Sequence, residues 1–429
     1  MRPEGWSNVR RLVAIRLDNI GDVVMLGPAL RALRRELPDA SITLMASPAG
    51  AQVAPLLPWI DEVFALSAVW QDASWKMPLD RRREQSLVEH MAKRNFDAAI
   101  IFTSFSQSPY PPAYVCYLAG IPLRIGQSRE FGGSLLTQWV KPPPDSAHQV
   151  DRNLHLLAAT GFSEESSDLE LDVPESARLA ADALLQSHGI GASERFVLLA
   201  PGASCAARRY ESARFAEAIS IVSARSGMLV VLVGNEKERA LASEIAAAIG
   251  RRTAVSIAGE TDIPQLAAVI ERASVVVAND SGPMHLADAL RRPMVITFSG
   301  TELESQWAPR TAAAVLLRRA TDCSPCYAFN CRFEMQCLDI PPAEVAETVL
   351  RMLDLFPRAR GAAASVQSCV SIVISAAVFG ALAPLLSNSL VRLAEGSFGA
   401  ALVSFGLWRS AQHRVSLAHR PSGNDTKTL

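Results

Sequence analysis

Phe196-Val-Leu-Leu-Ala-Pro-Gly-Ala-Ser-Cys-Ala-Ala-Arg-Arg-Tyr210 is the stretch on which the fold turns. Its first five residues are a short apolar run, the pattern of a buried strand. Pro201 and Gly202 close that strand, and a helix is expected over 212–220. Downstream, the same alternation of apolar run and helical stretch repeats at 229–233, 255–257, 274–278 and 294–298. Upstream, an equivalent series opens the chain, with strands expected over 12–15, 42–45, 63–66 and 98–102 and helices over 29–37 and 87–93. Strand–helix alternation favours a parallel, doubly wound sheet. Between the two series lie Pro142, Pro143 and Pro144 and then an acidic, mostly helical stretch over 151–189. The chain therefore reads as α/β, two Rossmann-like parallel-sheet domains facing across a cleft. The boundaries are 1–165 and 166–357, with a C-terminal apolar extension over 358–429. A chain of 429 residues is long enough for two such cores.

Three strand ends carry chemistry, because ligands of such sheets sit beyond the carboxyl ends of the strands. After the first strand comes Arg16-Leu-Asp-Asn-Ile-Gly-Asp22. Gly21 permits a close backbone approach. Asp22 falls in a first helical turn, where it caps the helix or takes the proton of an attacking hydroxyl. Asp18 is expected to orient the loop, and Pro28 to kink or delay the helix. In the second segment, Ala203 and Ser204 can present backbone N–H groups and a hydroxyl to a phosphate, and the forks of Arg208 and Arg209 suit its oxygens. The alternative is a solvated basic turn. In the third, Asn279-Asp-Ser-Gly-Pro-Met-His285, the loop residues Asp280, Ser281 and Gly282 precede a helix N-terminus with free N–H groups. His285 lies about one turn in. Glu236, after another strand, is a weaker candidate for a ribose hydroxyl.

Together these three segments resemble glycosyltransferase family 9, the ADP-heptose:lipopolysaccharide heptosyltransferases, over roughly residues 9–355. The resemblance implies an inverting, metal-independent GT-B enzyme with the acceptor on the N-terminal half and the nucleotide sugar on the C-terminal half. It implies Asp22 as general base, with Arg16, Asn19 and Gly21 on the acceptor side. It also implies donor phosphate contacts at Ser204 and Arg208, and Asp280, Ser281, Gly282 and His285 match its donor loop; Gly202, Arg209 and Glu236 are expected beside them from their positions after the strands. Arg208 stands where members commonly carry Lys, and Tyr210 where many show Trp. The donor expected is an ADP-sugar such as ADP-heptose, and the acceptor a lipopolysaccharide core or another glycan or glycolipid. No cofactor is required for catalysis on this reading.

Other classes fit less well. An NAD-dependent oxidoreductase would show G-x-G-x-x-G after its first strand, which 16–22 lacks. An epimerase would need acid/base pairs facing the donor sugar. A non-catalytic nucleotide-sugar-binding protein would keep Ser204 and Asp280 but need no carboxylate at position 22. A net charge of −1 gives no basic field for nucleic acid. The first apolar run is short and meets Arg16 and Asp18, so a cytoplasmic location is expected. The uncharged stretch 362–391 is long enough to cross a bilayer, though its polar residues weaken that reading. Association with the cytoplasmic face of the inner membrane is the corresponding expectation. Finally, Cys323, Cys326, Cys331 and Cys337 are spaced for a structural zinc site, with an iron–sulfur cluster or ordinary buried or disulfide-forming cysteines as alternatives.

Overall fold

The computed structural model describes residues 6–72, 75–163, 166–250 and 252–355. The extension over 358–429, with its membrane reading, lies outside the described residues. Among the described residues no helix is long and apolar enough to cross a membrane.

Among the described residues, twelve strands form two six-stranded sheets. The first contains β1 (Arg11–Arg16), β2 (Ser41–Ala46), β3 (Glu62–Ala65), β4 (Ala98–Ile101), β5 (Leu123–Gln127) and β6 (Gln138–Val140). The second contains β7 (Phe196–Ala200), β8 (Leu229–Leu232), β9 (Ala254–Ser256), β10 (Val275–Asn279), β11 (Met294–Thr297) and β12 (Ala314–Leu317). Every pairing is parallel. The orders are β3-β2-β1-β4-β5-β6 and β12-β11-β10-β7-β8-β9. Counted from its own first strand, each sheet has the same doubly wound order, 3-2-1-4-5-6. The order reverses between β1 and β4 in one sheet and between β7 and β10 in the other. Those two switch points are where such sheets open a crevice for ligands.

The central strands are buried on both faces and so are almost wholly apolar. The pleat sorts β1 to two sides: Leu12 and Ala14 join one apolar cluster, Val13 and Ile15 another. β5, β6 and β12 were not foreseen. β5 carries Arg124, whose buried guanidinium is satisfied by the carbonyls of Ile121, Pro122, Ser134 and Leu135. β6 is only three residues long and leaves Trp139 half exposed. The expected effect of Pro28 is realised as a break. The helix Ile20–Val24 stops, and a second, Gly27–Glu36, starts with Pro28 in its first turn, where a missing N–H costs nothing. The helices Gln149–Ala158 and Glu175–Ser187 span the expected acidic stretch.

Candidate active site

β1 delivers Arg16 into the first crevice. Its side chain is fully enclosed, and its guanidinium holds the loop that follows. Nη2 donates to Asp22 Oδ1 at 2.6 Å and to Ser104 Oγ at 2.9 Å, and Nε stands 2.8 Å from Asp18 Oδ2. The other Asp22 oxygen accepts the Asn19 N–H at 3.2 Å. The Asp22 carboxylate is therefore fixed in direction by a cation on one side and a backbone amide on the other, while its free edge lines the groove. Asp18 accepts from Gln107, and burial pushes its carboxyl above the usual range against the pull of Arg16.

Two helix starts, one from each sheet, meet at the groove floor. A Cβ on Gly21 would lie 2.3 Å from His285 Cδ2, and one on Gly282 would lie 3.3 Å from Ile20 Cγ2. Glycine at position 21 is what permits this approach. His285 is buried, and burial holds its imidazole down at a pKa of about 3, so it is neutral at physiological pH.

The second crevice is tied together by Asn279, which is completely buried. Its Nδ2 donates to Pro201 O at 2.7 Å, and its Oδ1 accepts from Tyr210 N at 2.9 Å and Thr297 Oγ1 at 2.8 Å. One amide thus locks the loop after β7 to the ends of β10 and β11. Tyr210 is a core residue whose hydroxyl donates to Ile340 O. Arg208 points into the groove between two acidic groups. Its Nη2 donates to Glu302, and its Nη1 lies 3.8 Å from Asp280 Oδ2. Neither Arg208 Nε nor Asp280 Oδ2 finds a hydrogen-bond partner among the described residues. Burial raises both carboxyls, that of Glu302 to about 7.

The groove has a volume of about 930 Å³. Its walls bring together Asn19, Gly21, Asp22, Ser204, Arg208, Asp280, Ser281, Gly282 and His285. Four expected site residues stand elsewhere. Arg16 is enclosed behind Asp22. Gly202 sits under Glu238, whose Oε1 a Cβ there would strike. Arg209 turns back to Ala203 O at 3.0 Å. Glu236 is exposed and pairs with its neighbour Arg239 at 2.6 Å. Conversely, sequence reasoning missed Ser104, Phe105 and Gln107 after β4, Thr301 and Glu302 after β11, and Tyr327 and Phe329. Those after β4 and β11 occupy the same carboxyl edge as the recognised loops, which is the signal that points to them. Phe105 and Tyr327 approach across the groove with ring centroids 5.3 Å apart.

The cysteine-rich segment is sewn onto this wall. Cys326 N donates to Gly300 O, Tyr327 N to Thr301 O, and Ala207 N to Phe329 O. Cys323, Cys326, Cys331 and Cys337 are free thiols. Among the described residues no group of three or more His, Cys, Asp or Glu is placed to hold a metal ion, these four included. A zinc ion on these four cysteines finds no support in this arrangement. Cys331 Sγ instead accepts the backbone N–H groups of Phe333 and Met335 at 3.3 and 3.4 Å.

Comparison with known proteins bears on this arrangement. The profile of glycosyltransferase family 9 (heptosyltransferase) matches residues 85–336, more than half of the chain. Lipopolysaccharide heptosyltransferase 3 of Escherichia coli K12 is 24% identical over 301 residues, covering 68% of this chain and 83% of that protein. Lipopolysaccharide heptosyltransferase 2 of Salmonella typhimurium is 28% identical over 309 residues, covering 67% and 82%. Among solved structures, the E. coli ADP-heptose LPS heptosyltransferase II superposes with a TM-score of 0.64 at 23% identity, covering 80% of this chain and 98% of that one. A family 9 glycosyltransferase from Veillonella parvula gives 0.65 at 21% identity, covering 81% and 97%. The shared architecture is the two-sheet GT-B fold, and the chain belongs to glycosyltransferase family 9, the heptosyltransferase family.

Proposed function

We propose that the enzyme transfers a heptose, or a closely related sugar, with inversion from an ADP-sugar to the core of a lipopolysaccharide or a similar glycolipid. The observation that carries this reading is the convergence of Asp22, Arg208 and Asp280 on one groove between two switch points. The acceptor belongs to the half over 1–165 and the donor to the half over 166–357. The acceptor hydroxyl attacks the anomeric carbon, the bond from that carbon to the diphosphate oxygen breaks, and Asp22 takes the hydroxyl proton. Arg16 and the Asn19 amide fix the direction of that carboxylate. Arg208 and the N-terminus of the helix Gly282–Ala289 receive the charge that develops on the departing nucleoside diphosphate. Ser204 and Ser281 line the same wall, and neutral His285 closes its floor. These groups supply the charge stabilisation without a divalent metal, and the reaction takes place on the cytoplasmic side of the membrane that holds the acceptor.

Support comes from the family, from the names of its relatives and from the groove's chemistry. The test is a thermal-shift and transfer screen against ADP-, UDP- and GDP-sugars with and without EDTA. The expected result is stabilisation and turnover with ADP-heptose, unchanged by the chelator. Preference for a UDP- or GDP-sugar would overturn the donor assignment, and loss of turnover in EDTA the metal-independent chemistry.

A further inference from the structure

The groove is more acidic than a diphosphate site should be. Four carboxylates, Asp18, Asp22, Asp280 and Glu302, face two guanidinium groups, those of Arg16 and Arg208. Arg16 is enclosed on the side of Asp18 and Asp22, which leaves Arg208 as the cation for an incoming anion. Its outer nitrogen is already taken by Glu302. A nucleoside diphosphate would add two or more negative charges to this cluster, and in a partly buried site like charges cannot all remain ionised. Of the carboxylates around Arg208, Asp280 is enclosed with its side chain 3% exposed, whereas Glu302 is 17% exposed on a loop after β11.

We propose that in the ligand-free enzyme the Glu302 carboxylate stands on Arg208 in place of a donor phosphate, and that donor binding displaces it and puts a proton on it. The proposal rests on the donor reading above. The groups facing Glu302 are Arg208 from the loop after β7, Asp280 from the loop after β10, Asp22 from the helix Ile20–Val24, and the Tyr327 phenol from the segment folded over the wall. On its own segment, Glu304 is engaged by Arg318 at 3.1 Å. Only Arg208 favours the ionised form of Glu302, and a phosphate on Arg208 removes that support. Burial already holds Glu302 at about 7, so one added anion is enough to keep it protonated at pH 8. The proton comes from solvent, and no bond other than that O–H forms.

Titration calorimetry with ADP, and with UDP and GDP in parallel, tests this at pH 8 in two buffers of different ionisation enthalpy. That pH lies above the range, about 6, in which a terminal phosphate itself titrates. The wild-type enzyme is expected to take up close to one proton per nucleotide bound. Glu302→Gln is expected to abolish that uptake and to bind about tenfold more tightly at pH 8. The gain shrinks to about twofold at pH 7, because protonation of a group titrating near 7 costs progressively less as pH falls. A wild-type enzyme that binds ADP with no proton uptake overturns the proposal and leaves the donor reading intact. Uptake that persists in Glu302→Gln overturns it too, by placing the proton on another group. If no nucleoside diphosphate binds either protein, the donor reading itself fails and this proposal with it.

Discussion

Arg16 and Arg208 hold comparable positions, Arg16 as the last residue of the first strand of its sheet and Arg208 in the loop after the first strand of the other. Their surroundings are opposite. Arg16 has no exposed surface and is clasped by Asp18, Asp22 and Ser104, all within 2.9 Å. Arg208 keeps 22% of its side chain exposed and holds Glu302 closely but Asp280 only at 3.8 Å. The first cation is part of the scaffold, and its work is to aim Asp22. On the proposed reading, the second meets the negative charge of the donor. One fold used twice thus gives an enclosed lip and a part-open one.

Substitution should separate the two. Arg16→Met strands two carboxylates in an enclosed site and is expected to cost about 3–5 kcal/mol of stability in denaturant unfolding. Arg208→Met removes a part-exposed cation whose partner Glu302 can take a proton, and about 1–2 kcal/mol is expected. Equal costs would erase the distinction. Next in size is the shared floor. Gly21→Ala pushes a methyl toward the ring of His285, and a loss of about 1–3 kcal/mol is expected from such overpacking, with weaker transfer. A neutral outcome would mean that the two helix starts are not in contact in solution. The smallest effect belongs to Arg208→Lys. It keeps the charge but loses the fork that spans Glu302 and Asp280, so ADP affinity should fall about threefold to tenfold with no loss of fold. A larger fall would show that the fork itself, rather than its charge, binds the donor.

Much of this contrast is legible in the sequence. β1, β4, β7 and β10 are buried on both faces, so they appear in the sequence as unbroken apolar runs, and the residues just after β1, β7 and β10 were found by position. Glu302 escaped because it follows β11 through Ser299-Gly300-Thr301, which carries no motif, even though β11 lies beside β10 at the same edge. Ser104 and Phe105 escaped for the same reason beside β1. Arg209 and Glu236 show the converse limit. Their types and places suit a ligand, but one backbone carbonyl and one neighbouring arginine take them away from the groove. Side-chain direction at either end of a 3-10 turn is set by such local partners, which spacing alone does not reveal. Strands β5 and β12 were hidden by a buried arginine in one case and by a half-exposed edge in the other.

The central claim is that the enclosed lip performs the chemistry and the part-open lip binds the donor. Asp22→Asn keeps the shape of the side chain and removes its basicity. Measured on one preparation, transfer from ADP-heptose should fall by about a hundredfold to ten-thousandfold, the range for loss of a general base, while ADP affinity by calorimetry stays within about twofold. Transfer at the wild-type rate, or ADP affinity lost in step with transfer, would contradict that division of labour.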